Sequence, residues 1–503
     1  MAEEGKMSFE KILSLAGSPD SPNVCCDSRI VRKGDIFVAI KGSHVNGHSF
    51  IDQAVKNGAK YVVIQEGSPE GMAVRQKYQA VNSGCTYITV PSSAAAAGLL
   101  AQAKKGNPAS KLTNLAVTGT NGKTTAAFLV RSIINNSGSR CGLISTVLYD
   151  NGRQTFQAKL TTPDQFTIAD ITSQMVNEGC EFMVTEASSH ALDQDRLEGI
   201  NFKAAAFTNL TGDHLDYHKT KDAYLAAKTS LFEALSPDSL AVLNRQSEEA
   251  FSIAGKTAAE ILWYAVDEPA PLTAHIESMD ITGTVFTLEF NDRVEKVKTP
   301  LVGKYNISNC LAAAGLTLAA GFDLKDAAAG IEALKAVPGR LQKIDHNMPF
   351  TVLIDYAHTD DALKNVLETV RPLCRGKLIV VFGCGGDRDK TKRPRMAKVV
   401  QNYADTAIVT SDNPRTEDPF SIIRDITAGF DKIGDNITIE PDRGSAISFA
   451  IGQACKNDIM LLAGKGHEDY QILKDKTIHF SDKEVAEKFL KTKNETAYCK
   501  SAC

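Results

Sequence analysis

The stretch "LAVTGTNGKTTAAFLV", Leu115 to Val130, passes from an apolar run through a glycine turn into a second apolar run that opens on a lysine and two threonines. The first run reads as a buried strand and the second as a helix, and a strand, glycine turn and helix in that order point to an α/β fold with a parallel sheet. Gly119, Thr120, Asn121, Gly122, Lys123, Thr124 and Thr125 form the joint. Backbone N–H groups at a helix start, an ammonium and a hydroxyl for Mg²⁺ are what nucleotide phosphates require. The commonest phosphate loop would put a glycine at Val117, whereas the first here is Gly119, three positions before Gly122. On spacing alone, a purely structural glycine turn is the competing reading.

The same pattern recurs outward from this unit. "EFMVTEASSH" and "AAAFTNLTGDHLD" are also apolar runs ending in small and polar residues, read as parallel strands whose carboxyl ends meet in one crevice. They bring in Glu186 and His214, a hard and a borderline metal ligand; either alone is equally well a solvated acid or a satisfied core histidine. Lys228, in "YLAAKTSLF", lies on a helix among Ala and Leu, where a lysine ordinarily snorkels to solvent. Further on, "FTVLIDYAHTD", "KLIVVFGCGGDRD", "TAIVTSDNPR" and "IMLLAGKGHEDYQ" describe a second α/β unit with its own crevice, beginning near Ala336 to Arg340. Its "DNPR", Asp412 to Arg415, sets a rigid turn beside a guanidinium suited to a carboxylate, or is a surface turn. "GKGHE", Gly464 to Glu468, offers close backbone approach and a carboxylate for an ammonium. "GDRDKTKRPR" lacks the interleaved aromatics of a nucleic-acid patch and suits a small anion better.

A chain of 503 residues exceeds one hydrophobic core. Short apolar runs fill the first hundred residues, and "GNPASK" reads as a linker after the helix "SSAAAAGLLAQAKK". The expected division is therefore 1–110, 111–336 and 337–503. With 56 basic and 60 acidic side chains the net charge is −4, which gives no general field for nucleic acid or an anionic membrane. Eleven cysteines, an odd number without C-x-x-C, suit reduced thiols in the cytoplasm. The amino terminus matches neither a signal nor a transit peptide, and no apolar run nears the roughly 20 residues that span a bilayer. No repeat, low-complexity tract or heptad run is present.

Taken together, "TGTNGKTT", "EASSHAL", "TNLTGDHLDYH", "AAKTSLF", "GKYNISN", "PGRLQ", "DYAHT", "GDRDKTKRP", "DNPR" and "GKGHE" resemble, in order, the motifs of the Mur ligase family, from about Cys26 almost to the end. The resemblance implies a mixed α/β amino-terminal domain for a uridine nucleotide, a central P-loop-type ATPase with a parallel sheet, and a Rossmann-like carboxyl-terminal domain for an amino acid. It implies an ATP-dependent ligase of peptidoglycan precursor synthesis, a cytoplasmic monomer that joins meso-diaminopimelate to the D-Glu of UDP-MurNAc-L-Ala-D-Glu through an acyl phosphate. By the same resemblance, Ser28 and Asn46, Gly47 and His48 meet the UDP end, although Asn46 departs from the aspartate often found there. Thr161, Thr162, Ser188, Gln194 and Arg196 match positions that hold the muramoyl dipeptide. Asn306, Arg340, Asp355 and His358 join the phosphate loop as ATP contacts. Arg388, Asp412, Asn413, Pro414, Arg415, Gly464 and Glu468 match the amino-acid site, where a cation at Arg415 favours the distal carboxylate of diaminopimelate over the ammonium of lysine. Lys123, Glu186, His214 and Lys228 are the implied catalytic set, with Thr124, Glu186, His214 and Lys228 holding Mg²⁺. In that role Lys228 carries a CO₂-derived carbamate, which turns a cation into an oxygen ligand. The alternatives are a lysine-adding relative, a folylpolyglutamate-synthetase-like ligase, and a nucleotide-dependent regulator that has lost ligation. The uridine segment and "DNPR" speak against the second, and the intact catalytic set against the third.

Overall fold

The computed structural model describes residues 8–42, 45–80, 84–212 and 214–501, with side chains at 79–80, 215–216 and 494–501 outside the description. The first seven residues of the amino terminus discussed above also lie outside it.

Three sheets follow one another along the chain, and a two-stranded antiparallel hairpin, Tyr470–Leu473 with Lys476–His479, follows the third. The first is parallel throughout, in the order β1 (Val24–Cys25), β2 (Ile36–Val38), β3 (Tyr61–Gln65) and β4 (Thr86–Val90). The second contains β5 (Thr113–Thr118), β6 (Cys141–Ile144), β7 (Leu148–Asp150), β8 (Thr155–Gln157), β9 (Phe182–Glu186), β10 (Phe202–Phe207), β11 (Leu240–Asn244), β12 (Glu260–Val266), β13 (Leu272–Asp280), β14 (Gly283–Phe290) and β15 (Arg293–Thr299). Its order is β15-β14-β13-β12-β11-β10-β5-β9-β6-β7-β8. The third consists of β16 (Gln342–Lys343), β17 (Thr351–Asp355), β18 (Leu378–Phe382), β19 (Thr406–Val409), β20 (Ile437–Ile439) and β21 (Ile459–Ala463), ordered β16-β17-β21-β18-β19-β20.

The α/β expectation therefore holds, and its physical reason is visible in β5. Leu115 and Val117 enter the core on one face of the sheet while Ala116 enters the core on the other, and all three are fully buried. A strand covered on both faces has no polar side to show, hence its unbroken apolar run. The helices Lys123–Asn136, Lys304–Ala319 and Leu324–Ala333 cover the first face. The strands β10, β5 and β9 are parallel neighbours, so the three apolar runs read from sequence do end side by side.

Two features had no counterpart in the sequence reading. The central sheet is extended by antiparallel β13, β14 and β15. The last two are joined by Asn291 and Asp292, at φ 49° and 61°, the pair of positive values that a tight two-residue hairpin demands. "GNPASK" is a fixed joint rather than a loose linker: Pro108 and Ala109 are buried, and the Ala109 N–H donates to Gln102 Oε1 at 3.2 Å.

Within the third unit Arg393, fully buried, donates to both Glu417 oxygens at 2.8 and 3.0 Å and to Asp425 at 2.8 Å. The Arg393 hydrogen bond is the main cause that holds the Glu417 carboxyl down to about 2. The folded chain thus binds this proton less tightly than the unfolded chain, whose glutamate titrates near ~4.3. The pair's stabilising contribution is complete above that pH and is lost as pH falls toward the folded value. Glu417→Gln should lower stability at neutral pH and flatten the acid limb of denaturation between roughly pH 5 and 2. Identical acid limbs for variant and parent would remove this pair from the account.

Candidate functional site

The phosphate loop owes its glycines to crowding. A Cβ at Gly119 would stand 1.9 Å from Thr208 Oγ1, and one at Gly122 would stand 2.2 Å from Asn309 Oδ1. Gly122, at φ 91°, leads into the helix Lys123–Asn136 without a side-chain cap, so the N–H groups of the first turn are left for an anion. The loop is pinned from β10: Asn209 Oδ1 accepts from the Asn121 N–H at 3.0 Å, and Thr208 Oγ1 donates to the Asn121 carbonyl at 2.6 Å. Thr120 Oγ1 accepts from the Thr211 N–H at 2.9 Å. Lys123 folds its ammonium onto the carbonyls of Gly119 and Thr120, at 2.9 and 2.8 Å. Thr125 is buried in the first turn.

Glu186, fully buried at the end of β9, accepts from Thr124 Oγ1 at 3.1 Å and from both N–H and Oγ1 of Thr146 at 2.7 and 2.9 Å. Thr124 Oγ1 in turn accepts from Arg340 Nη2 at 3.0 Å. Arg340 lies 4.9 Å over the Tyr356 ring, and its buried Nε has no hydrogen-bond partner among the described residues. A cradle that excludes even a methyl group and an orphaned guanidinium donor beside it fit the phosphates of a nucleotide.

Lys228 does not snorkel. It is 1% exposed, its Nζ donates to the Gly119 carbonyl at 2.8 Å and lies 4.5 Å from the Tyr224 ring centroid. The backbone of the phosphate loop captures the head group before it can reach water. His214, exposed and at φ 54°, packs edge-on to His190 at 4.8 Å and approaches the same Tyr224 ring at 6.1 Å. Among the described residues no group of three His, Cys, Asp or Glu side chains is arranged to hold a metal by itself.

The remaining candidates form three groups. Thr162 Oγ1 donates to the Glu186 carbonyl at 2.6 Å and accepts from the Ser188 N–H at 3.1 Å. Arg196 reaches the Thr162 carbonyl at 2.8 Å and forks onto Gln194 Oε1 at 2.6 and 3.1 Å. Thr161 Oγ1 lies 3.1 Å from Thr146 Oγ1, which ties this group to Glu186. In the first unit Ser28 is buried, and Asn46 Oδ1 accepts from the His48 N–H at 3.1 Å and faces His48 Nδ1 at 2.9 Å. Since His48 Nε2 accepts from the Gln65 N–H at 3.1 Å, the ring proton sits on Nδ1. The Asn46, Gly47 and His48 turn is thereby fastened to β3.

Around the nucleotide side, Asn306 donates to the Val302 carbonyl at 2.7 Å, and His358 Nδ1 donates to the Tyr356 carbonyl at 2.9 Å. Asp355 is pushed up by burial, and its two oxygens accept from the N–H groups of Leu341 and Ala357 at 2.7 and 2.8 Å. It shapes the turn after Arg340. Asn121 Nδ2 donates to Asp361 at 3.3 Å, a second link between the phosphate loop and the third unit.

Asp412, Asn413, Pro414 and Arg415 follow β19, and Gly464 to Glu468 follow β21. The two meet where Asn413 Nδ2 donates to Glu468 Oε2 at 2.9 Å. Glu468 is not a lone carboxylate: Lys465, fully buried, donates to it at 3.0 Å and to the Tyr470 carbonyl at 2.6 Å. Burial pushes the Glu468 carboxyl up while Lys465 opposes that shift. Arg415, at φ 52°, donates through Nη1 to the Gly386 carbonyl at 2.9 Å, and Arg388 Nη1 donates to the Asp387 carbonyl at 3.0 Å. Thr146, Asp361 and Lys465 were missed in the sequence. Thr146 had a usable signal, since "CGLIST" is another apolar run ending in small polar residues, whereas the partners of Asp361 and Lys465 are fixed only by folding. Within the basic "GDRDKTKRPR" segment, Lys390 and Arg393 pair with Glu417 and Arg395 pairs with Asp360.

Comparison with known proteins accords with this geometry. Residues 22–105 match the Mur ligase family catalytic domain, 117–317 the Mur ligase middle domain, and 339–466 the Mur ligase glutamate ligase domain. The UDP-N-acetylmuramoyl-L-alanyl-D-glutamate–2,6-diaminopimelate ligase of Geobacillus kaustophilus is 43% identical over 477 residues, 93% of this chain and 95% of that protein. The enzyme of the same name from Clostridium tetani is 41% identical over 474 residues, 94% of this chain and 95% of that protein. A solved structure of a ligase of that name superposes with a TM-score of 0.66 at 31% identity, covering 97% of this chain and all of the other. With identity at this level along nearly its whole length, the chain belongs to the Mur ligase family.

Proposed function

We propose that the protein is the ADP-forming ligase that adds meso-diaminopimelate to the D-Glu of UDP-MurNAc-L-Ala-D-Glu, acting as a monomer in the cytoplasm on peptidoglycan precursors. The observation that carries this reading is the line from Arg340 through Thr124 to Glu186, which joins the phosphate loop to the unit bearing "DNPR" and "GKGHE". No helix among the described residues is long and apolar enough to cross a membrane.

In this reading Gly119 to Thr125 cradle the phosphates of ATP. Lys123 leaves its two carbonyls for the β- and γ-phosphate oxygens, and Arg340 turns its unpartnered Nε toward the transferring group. Thr162, Ser188, Gln194 and Arg196 hold the dipeptide so that its D-Glu side-chain carboxylate reaches the γ-phosphorus. The carboxylate oxygen forms the new P–O bond as ADP departs, and the neutral amine of the incoming amino acid then attacks the acyl carbon as phosphate leaves. Positioning and fixed cations provide most of what phosphoryl transfer asks of a protein. Magnesium, when bound, neutralises phosphate charge, and a hard oxygen donor set of Thr124, Glu186 and carbamylated Lys228, joined by His214, would hold it. The buried head group of Lys228, 2.8 Å from the Gly119 carbonyl, would set a carbamate directly beside the loop.

At the other crevice Arg415 and Arg388 recruit the distal carboxylate of the amino acid. Lys465 offsets Glu468, so the site presents net positive charge to the incoming side chain and discriminates against lysine.

Two outcomes test this reading. Lys123→Met should lower kcat by about two orders of magnitude or more while UDP-MurNAc-L-Ala-D-Glu still binds, read by ADP release and by calorimetry; an unchanged kcat would contradict the phosphate role. Offered equal meso-diaminopimelate and L-lysine, the enzyme should yield mainly the diaminopimelate adduct by mass. Arg415→Ala should cut kcat/KM for diaminopimelate by roughly 10- to 100-fold, the loss of a charge-assisted contact. A dominant lysine adduct would discard the role given to Arg415 and keep the ligase.

A further inference from the structure

Beneath the amino-acid crevice lie two opposite charges with no exposure at all. Arg443 opens the helix Arg443–Gln453, and Asp482 opens the last helix, Asp482–Ser501. They meet fork to fork, Nε to Oδ1 at 2.7 Å and Nη2 to Oδ2 at 2.7 Å, and both side chains are 0% exposed. A buried ion pair of this kind contributes little net stability compared with apolar residues of the same shape, so tethering two helices does not account for it.

The other hydrogens of the guanidinium point to a purpose. Nη2 also donates to the Ala463 carbonyl at 3.0 Å, and Nη1 reaches the Ser411 carbonyl at 3.4 Å. Ser411 immediately precedes Asp412 to Arg415, and Ala463 immediately precedes Gly464 to Glu468. These two segments leave β19 and β21, which are not neighbours, because β18 runs between them. No ladder hydrogen bond joins the two strand ends, and the segments that leave them touch further out, where Asn413 donates to Glu468 at 2.9 Å. Arg443 bridges the two strand-end carbonyls from beneath with a rigid, planar fork, which a lysine could not do. Its charge also interacts with Asp412 and Glu468, one carboxylate from each segment.

We infer that Arg443, aligned by Asp482, is a positioning residue for amino-acid recognition, fixing the Asp412–Arg415 turn and the Gly464–Glu468 loop at the separation their common ligand needs. The inference rests on the amino-acid site proposed above. It also couples the last helix to that site, because Asp482 engages Nε and Nη2 of the same guanidinium that contacts the two carbonyls.

The test compares the wild type with the apolar double variant Arg443→Met, Asp482→Leu and with Arg443→Lys. Each receives a thermal midpoint and separate KM values for the amino acid, ATP and UDP-MurNAc-L-Ala-D-Glu. The double variant removes both charges together and should keep a midpoint near that of the wild type. Its KM for meso-diaminopimelate should rise by about tenfold or more, with the other two KM values changed less than about twofold. Arg443→Lys, which keeps the charge and loses the fork, should show the same split. If the double variant does not fold, Arg443→Lys decides by that split alone. Equal changes in all three KM values, or an unchanged KM for the amino acid in a folded variant, would overturn the inference. A wild-type enzyme that forms no adduct with any amino acid would instead refute the proposed function.

Discussion

The hydroxyl of Thr124 connects two separate sheets. It donates to Glu186, at the end of a strand of the central unit, and accepts from Arg340, at the start of the carboxyl-terminal unit. A hydroxyl can do both because it carries one proton and two lone pairs. Glu186 is fully buried, and such a carboxylate is tolerable only when its oxygens are satisfied; Thr124 and Thr146 supply that satisfaction. Wherever the phosphate loop moves, Thr124 must move with it, so the state of the loop is felt at once by Glu186 and by the unit that carries the second crevice.

The carboxyl-terminal unit handles its charges differently from a simple surface. Arg393 is consumed by Glu417 and Asp425, Lys465 by Glu468, and Arg443 by Asp482. Each pair fastens a loop leaving the carboxyl edge of the sheet, where an open α/β fold places its ligands. Arg388 and Arg415, by contrast, each donate to backbone carbonyls, which orients a guanidinium without cancelling its charge. Those two guanidiniums stand beside loops whose other charges are paired.

The fold was largely legible because its strands are buried on both faces. Unbroken apolar runs such as Leu115 to Val117 and Phe182 to Val184 declare parallel strands, and the small polar residues after them mark the edge where an open α/β sheet places its ligands. The hairpins through Asn291 and Asp292 escaped because half-exposed strands alternate and their runs are short, although two turn-forming residues between alternating segments were there to be read. At the site, residue types were legible and pairings were not. Lys228 looked like a snorkelling lysine, but it donates to the loop carbonyl of Gly119, more than a hundred positions away in the chain. Glu468 looked like a free anion although Lys465 stands three positions before it, because nothing in a loop sequence says that two such residues will face each other. Arg443 and Asp482, in different helices, carried no local signal at all.

The most direct test of the central claim, that the phosphate loop delivers the γ-phosphoryl group to a substrate carboxylate, is to follow oxygen. UDP-MurNAc-L-Ala-D-Glu carrying a heavy-oxygen label in the D-Glu side-chain carboxylate would be turned over with ATP and meso-diaminopimelate, and the nucleotide and phosphate analysed by mass. The account predicts that one labelled oxygen appears in inorganic phosphate for each amide formed and that the nucleotide product is unlabelled ADP. Label in AMP, or amide formation with unlabelled phosphate, would contradict it.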